Sequence, residues 1–474
     1  MIIDRYEPDP SFEEICARLA IRLSPEFEEL DKLLDDKELF DLFKGDFQQR
    51  YPHSLTTGHP STPVEVLIRA LTLKHAQAWT YEETEEALRN NLMVKKFCRV
   101  YGHAAPDDTV LIRWDNVLKP STLEALNERV VQAARRAKVT RGRKLRTDTT
   151  VIETNIHYPT DGTLLADGMR VLGRIARKAK QILASVGEGM SVPQELFRDR
   201  MRSVKVRVKT IFTVAKGKTD AAQAQLKETY QELIGITQAG VRQATQLAIT
   251  LQTIGAGARG AVADRIQRLV TQLEDVLPRV EQVLAQSVRR VLQDEVVPSA
   301  QKIVSLFEPH TAILQKDKPG HSPEFGRKVK LDEVDGGIIS HYTIETGNPN
   351  DSQLFRESLD AHRKRFGKPP DLMAADRGFW SKDNEAYALQ QGVQKVVLPT
   401  RGKRSQQRTE YERQPWFRKG IRFRAGIEGR ISVVKRAQGL ERCLNHGEEG
   451  FSRWVGWGIV GANLLKIAHT VATR

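Results

Sequence analysis

Apolar positions in the first third of the chain recur at helical spacing. Val64, Leu67, Ile68 and Leu71, with His75 next in the series, place one apolar stripe on a helix that Thr62-Pro63 opens. Thr80 followed by Glu83 reads as a capping box for the next helix. Asp107 and Asp108 are caps for a third, running through Leu111, Trp114 and Leu118. Residues 11–133 therefore predict helices with few strand-like alternations. Short helices joined by tight turns admit a helix-turn-helix as well as ordinary helical packing.

The pattern changes at Lys144. Leu145 to Glu153 is rich in β-branched residues and predicts a strand, with Tyr158-Pro159-Thr160-Asp161-Gly162 as the turn that follows. From about Leu164 to Leu306 helical spacing returns, clearest at Ile266, Leu269, Val270, Leu273, Leu277, Val280 and Leu284. Gly255, Gly257, Gly260 and Pro278 interrupt it, which predicts a bundle rather than one long coiled coil. After Pro323, Val329 and Leu331 alternate with charged residues, and Gly336-Gly337 turns into Ile338–Ile344, a hairpin signal. An amphipathic helix (352–366), a short strand ending at Asp376, a helix (383–391) and a strand stopped by Pro399 complete the order. Without residues 164–326 the series is β-β-β-α-β-α-β-α, an α/β mixed sheet interrupted by a helical insertion.

Composition narrows the function classes. In 474 residues, 40% hydrophobic content is enough for a core and removes global disorder. Cys16, Cys98 and Cys443 are far apart, so neither a disulfide framework nor a cysteine zinc site is expected. No apolar run approaches the ~20 residues of a membrane span, and MIIDRYEPDPSFEE lacks the features of a signal peptide. The expectation is a cytoplasmic protein with no membrane partner.

The 74 Lys and Arg against 60 Asp and Glu give +14, which points to a polyanion. Its distribution is uneven. Residues 1–50 hold 14 acids and 7 bases, whereas 135–146 hold seven bases and no acid. Residues 401–436 hold twelve bases against three acids. Each run also reads as a solvated face, but each flanks an isolated acid, Asp148 or Glu428.

Asp148 lies within a predicted strand and Asp376 at the carboxyl end of another, where open α/β sheets present ligands. On a helix, Arg424, Glu428 and Lys435 fall within about 60° of one another. Ile427, Ile431 and Val434 form a separate apolar face. Arg424–Glu428 also reads as an ordinary surface pair, and Gly426 and Gly429 weaken the helix. Three carboxylates from separate elements suit hard divalent cations, and flanking bases suit a DNA backbone.

The segments TDTTVIETNIHYPTDGTLLADG (147–168), AADRGFWSKDNEAYAL (374–389) and RFRAGIEGRISVVKRAQGLERC (422–443) resemble the catalytic segments of bacterial insertion-sequence DDE transposases, particularly the ISNCY type. Residues 305–334 are similar to that group's stretch between the first two carboxylates, and 62–91 with 106–114 to its helical N-terminal domain. The Arg-x3-Glu-x6-Lys spacing is met by Arg424, Glu428 and Lys435; Ile421 stands where the family has Tyr. The resemblance implies an RNase H-like core in which Asp148, Asp376 and Glu428 bind two Mg²⁺ ions, with Mn²⁺ as the alternative. It implies cleavage and joining of double-stranded DNA at terminal inverted repeats and in target DNA, by a homo-oligomer on DNA, nucleoid-associated in a bacterial cytoplasm. Arg424 and Lys435 would contact phosphates, and Arg430, Arg377, Arg143 and Lys144 are further candidate DNA contacts. The domains expected are 1–140 (helical, end-binding), 141–163 (first core strands), 164–326 (insertion) and 327–474 (rest of the core). Two other readings stay open: a structure-selective Mg²⁺-dependent nuclease of the same fold, and a non-catalytic DNA-binding assembly protein. His157, His310 and His341 read as structural, Asp161 and Asp167 as turn and cap residues, and Trp380 as core or base-stacking.

Overall fold

A computed structural model describes residues 1–50, 53, 58–185, 197–315 and 322–474. Eight helices come first: α1 Pro10–Arg18, α2 Pro25–Leu34, α3 Lys37–Arg50, α4 Val64–Ala76, α5 Tyr81–Asn90, α6 Leu92–Phe97, α7 Asp108–Asp115 and α8 Pro120–Arg136. Strand β1 (Lys144–Thr154) is followed by α9 Asp161–Ser185, α10 Met201–Val214, α11 Asp220–Gly257, α12 Gly260–Ser287 and β2 Ala312–Leu314. The rest runs β3 Glu324–Val334, β4 Ile338–Ile344, α13 Asp351–Phe366, β5 Leu372–Ala375, α14 Lys382–Gln390, β6 Lys395–Val397, α15 Gln406–Arg413, α16 Pro415–Ala437, β7 Arg442–Cys443 and α17 Gly447–Ala472. Two compact units result, Met1–Asn155 with Gly326–Arg474, and Ile156–Phe325.

In the first unit the sheet order is β4-β3-β1-β5-β6, with β7 beside the end of β1. β3 is antiparallel to both β1 and β4, while β5 and β6 run parallel to β1. The Gly336-Gly337 turn has positive φ at both residues, as a tight hairpin needs.

Local signals set the helix starts. Thr80 and Glu83 form the full capping box of α5, and the Asp107 carboxylate accepts from the Val110 amide at the start of α7. α4 departs from the expected single stripe, because every one of its residues is buried. α17 runs along it closely enough that a Cβ on Gly461 would lie 3.3 Å from the Ala76 nitrogen. Two charged positions of α4, Glu65 and Arg69, are accommodated by pairing: Arg69 binds Asp31 and Asp35, and Arg99 binds Asp35 and Glu65. Asp36 takes Arg129 and Arg136. Asp31, Asp35 and Asp36 of the acidic first 50 residues are thus matched by arginines from later in the chain.

The second unit is a bundle of α9 to α12 around Leu165, Leu172, Leu233, Leu247, Leu251 and Val280. The chain breaks between α11 and α12 at Ala258-Arg259, with Gly255 and Gly257 still inside α11 and Gly260 opening α12. Pro278, expected as a second interruption, lies inside a continuous α12. One lost hydrogen bond is outweighed there by the apolar face that α12 buries. Helix also begins earlier than expected: Thr160 accepts from the Thr163 amide, so the Pro-Thr-Asp-Gly sequence caps α9. The part of the helical expectation that falls on 186–196 lies outside the described residues. No helix among the described residues is long and apolar enough to cross a membrane.

Candidate active site

β1 carries the first carboxylate at the centre of the sheet. Thr147 is paired with Ala375 of the parallel neighbour β5, so the next residue along each strand, Asp148 and Asp376, emerges at the same level. Strand alternation then sorts the neighbours. Thr147 and Thr149 face α13, where they meet Ser358 and Asp351, both at 3.2 Å. Arg146 shares its face of β1 with Asp148 and supports α16. Its guanidinium forks onto the buried Glu333 carboxylate (2.8 and 2.6 Å) and donates to the Phe423 carbonyl (2.5 Å). A Cβ on Gly426 would lie 2.3 Å from Arg146 Nη1, so this glycine lets the helix seat on the arginine. Gly429 meets nothing within 4 Å.

That seating brings Arg424 to the carboxylates. Its Nη2 lies 3.3 Å from Asp148 Oδ2 and 3.5 Å from Asp376 Oδ1, and its Nη1 lies 2.9 Å from Glu428 Oε1. One guanidinium therefore reaches all three acids. Because both aspartate oxygens are within 3.5 Å of one nitrogen, they are no more than about 7 Å apart.

The three acids differ in exposure. The side chain of Asp148 is 14% exposed, against 51% for Asp376 and 65% for Glu428. Burial pushes the Asp148 carboxyl up to about 6, despite the opposing pull of Arg424 and of the Thr149 amide; Asp376 and Asp351 push the same way as burial. A buried carboxylate with a raised pKa beside other acids is a frequent mark of a functional site.

Carboxylate oxygens are the hard donors that Mg²⁺ and Mn²⁺ prefer, and in that respect the residues fit such ions. Arg424 stands among the three, and no group of three ligand side chains closes around one point among the described residues.

The other candidates are dispersed. Arg143, Lys144 and Arg377 are exposed, with Lys144 Nζ 5.6 Å from the centre of the Phe423 ring. Lys435 is half-buried in the last turn of α16. Arg430 turns from the carboxylates and donates to the Ala462 carbonyl of α17 (3.2 Å). Ile421 packs into a small cluster with Phe417 and Val397. Trp380 packs against the main core. His157, His310 and His341 sit beside Asp167, Glu308 and Asp332 respectively. Asp161 and Asp167 make ion pairs, with Arg290 and Arg170. Sequence reasoning missed Arg146, Glu333 and Asp351. The one available signal was Arg146 standing two residues before Asp148, hence on its face. Asp332, also missed, is buried. Burial would raise its pKa, but Lys330, His341 and Thr147 hold it down to about 2.

Two transposase family models match the chain. The family described as Transposase domain (DUF772) matches residues 20–116, over the N-terminal helices. The family described as Transposase DDE domain matches residues 333–464, which include Asp376, Arg424 and Glu428. Both matches indicate an insertion-sequence DDE transposase. It is also 30% identical over 127 residues to a Rhizobium meliloti protein described as uncharacterized protein ORF8 in nfe locus. That stretch is 26% of this chain and 61% of the relative, so less than two thirds of the relative's length is spanned. No solved structure matches.

Proposed function

We propose that this chain cleaves DNA at the ends of an insertion sequence and joins the freed 3′ ends to target DNA, with Asp148, Asp376 and Glu428 as the catalytic carboxylates. The observation that carries the reading is the single guanidinium of Arg424 within 3.5 Å of all three. The core is read as RNase H-like: an antiparallel β1-β3-β4 meander followed by the parallel β5 and β6, with the first two acids on the adjacent β1 and β5.

Asp148, Asp376 and Glu428 would hold two Mg²⁺ ions, or Mn²⁺ in their place, and ions bound there would supply Lewis-acid chemistry and charge relief for an in-line displacement. Arg424 plays two parts. In the structure it neutralises the acids; with the carboxylates engaged elsewhere, its guanidinium would hold a DNA phosphate in the bidentate manner suited to it. Lys435, on the same helix, holds a phosphate further along the strand. Arg143, Lys144 and Arg377 track the backbone, and the helices of 1–140 contribute to recognising the terminal repeats.

The test is a plasmid carrying the insertion sequence with its own flanking DNA, incubated with the protein and Mg²⁺. Joined 3′-end products are expected. Strand breaks with no joined product would replace transposition by nuclease action. DNA binding that barely changes with salt would count against the backbone contacts.

A further inference from the structure

Charge within the helical unit Ile156–Phe325 is concentrated around one helix. Residues 197–219, which include α10, hold eight bases and a single acid, Asp199. By contrast α11 holds two bases and three acids, and α12 three bases and four acids. One base of α10 makes an ion pair among the described residues, Arg207 with Glu232 of α11 (3.0 Å). Arg202, Lys205 and Lys209, and Lys216 just beyond the helix end, are exposed and pair with no acid among the described residues. Lys205 and Lys209 stand at i,i+4, where like charges weaken a helix, so the arrangement costs stability that nothing else in the unit returns.

These cations form one row. At ~100° per residue, Arg202, Lys205 and Lys209 fall within about 60° of one another, on the side of α10 away from Val204 and Ile211, which are buried in the bundle core. Lys205, Lys209 and Lys216 also border one open groove of about 540 Å³, together with Phe212 of α10 and Ala166 of α9. The row is therefore continuous in space and passes the helix end.

We propose that α10 docks on the phosphate backbone of duplex DNA through Arg202, Lys205, Lys209 and Lys216, without reading base sequence. This extends the proposed DNA activity to a surface of the helical insertion and rests on that reading for the identity of the polyanion. Arg202 and Lys209 are seven residues apart, about 10 Å of helix, a span in which each DNA strand presents about three phosphates. Counterions released from each neutralised phosphate favour the contact. Anionic lipid offers the same charge, but a basic helix seats on a membrane by burying an apolar face. That face of α10 is already committed to the bundle, which leaves Val206 and Phe212 as its exposed large apolar residues.

Fluorescence anisotropy reads the binding of the full-length protein to a labelled duplex of arbitrary sequence, in EDTA, over a series of salt concentrations. Arg202→Gln, Lys205→Gln and Lys209→Gln combined should weaken binding and flatten the slope of log affinity against log salt by about 2–3, at about 0.9 per phosphate. Arg202→Lys, Lys205→Arg and Lys209→Arg combined should keep the parental slope, which separates lost charge from damaged packing. Arg259→Gln, Arg265→Gln and Arg268→Gln combined removes three exposed charges from the same unit and should leave the slope nearly parental. A parental slope in the α10 glutamine variant, or equal flattening in both glutamine variants, overturns the proposal. So does binding to phosphatidylglycerol vesicles that this variant loses while its DNA binding is unchanged; lipid would then be the partner. The readout needs no cleavage. A flattened slope supports the surface even in a protein that does not cut DNA, and an unchanged slope beside normal Mg²⁺-dependent cleavage removes this surface alone.

Discussion

Arg424 Nη2 lies 3.3 Å from Asp148 Oδ2, although 276 residues separate the two in sequence. The same guanidinium touches Asp376 and Glu428, so a cation already stands where the proposed reaction calls for cations. Much of what can be tested about the site follows from this substitution of one positive charge for another.

Arg424 and a divalent ion compete for the same oxygens. Unit charges about 4 Å apart interact by about 4 kcal/mol at an effective dielectric of 20, and partial exposure reduces this substantially. Arg424→Gln should therefore tighten Mn²⁺ binding by roughly tenfold, about 1.4 kcal/mol, while DNA cleavage falls. Electron paramagnetic resonance of free Mn²⁺ reads the affinity. Weaker binding in the variant would show that the arginine supports the ion site instead of competing for it.

Asp148 carries a stability cost of known sign. Its folded pKa of about 6 lies above the unfolded value of ~3.9, so the folded state binds more protons between those limits. Stability is therefore undiminished below about pH 4 and is lost as pH rises through 6, to a total of about 3 kcal/mol. In EDTA, Asp148→Asn should be more stable than the parent by about 2–3 kcal/mol near pH 7.5 and equal to it near pH 4. Urea denaturation at the two pH values measures this; equal stability at both would mean that Asp148 is not strained by burial.

The two glycines of α16 should respond oppositely to alanine. At Gly429 nothing is met within 4 Å, so Gly429→Ala should stabilise by up to about 1 kcal/mol through helix propensity. At Gly426 the new methyl would displace Arg146 from Glu333 and from the Phe423 carbonyl. Gly426→Ala should destabilise by about 1–3 kcal/mol and slow cleavage by shifting Glu428. Thermal denaturation of both variants decides it.

The local parts of this fold were legible. β1 over Leu145–Glu153, the Gly336-Gly337 hairpin, the capping box at Thr80 and the strand ending at Asp376 each follow from short-range chemistry. So did the helical face that pairs Arg424 with Glu428 and the opposite side that buries Ile427 and Val434. What could not be read was pairing across the fold. Gly426 counted against the helix until Arg146, 280 positions earlier, explained it. Arg430 shares its helix with Glu428 and carries the same charge as Arg424, yet it points to Ala462; only the position of α17 decides that. Nor does the basic run 135–146 show by itself that Arg136 and Arg146 are committed to Asp36 and Glu333.

The central claim is that Asp148, Asp376 and Glu428 act together on DNA. Its most direct test is Mg²⁺-dependent cleavage of insertion-sequence-end DNA by Asp148→Asn, Asp376→Asn and Glu428→Gln, with DNA binding measured in parallel. Loss of cleavage in all three with binding largely retained is the expected result. Cleavage near the parental rate by any one of them would contradict its place in the site.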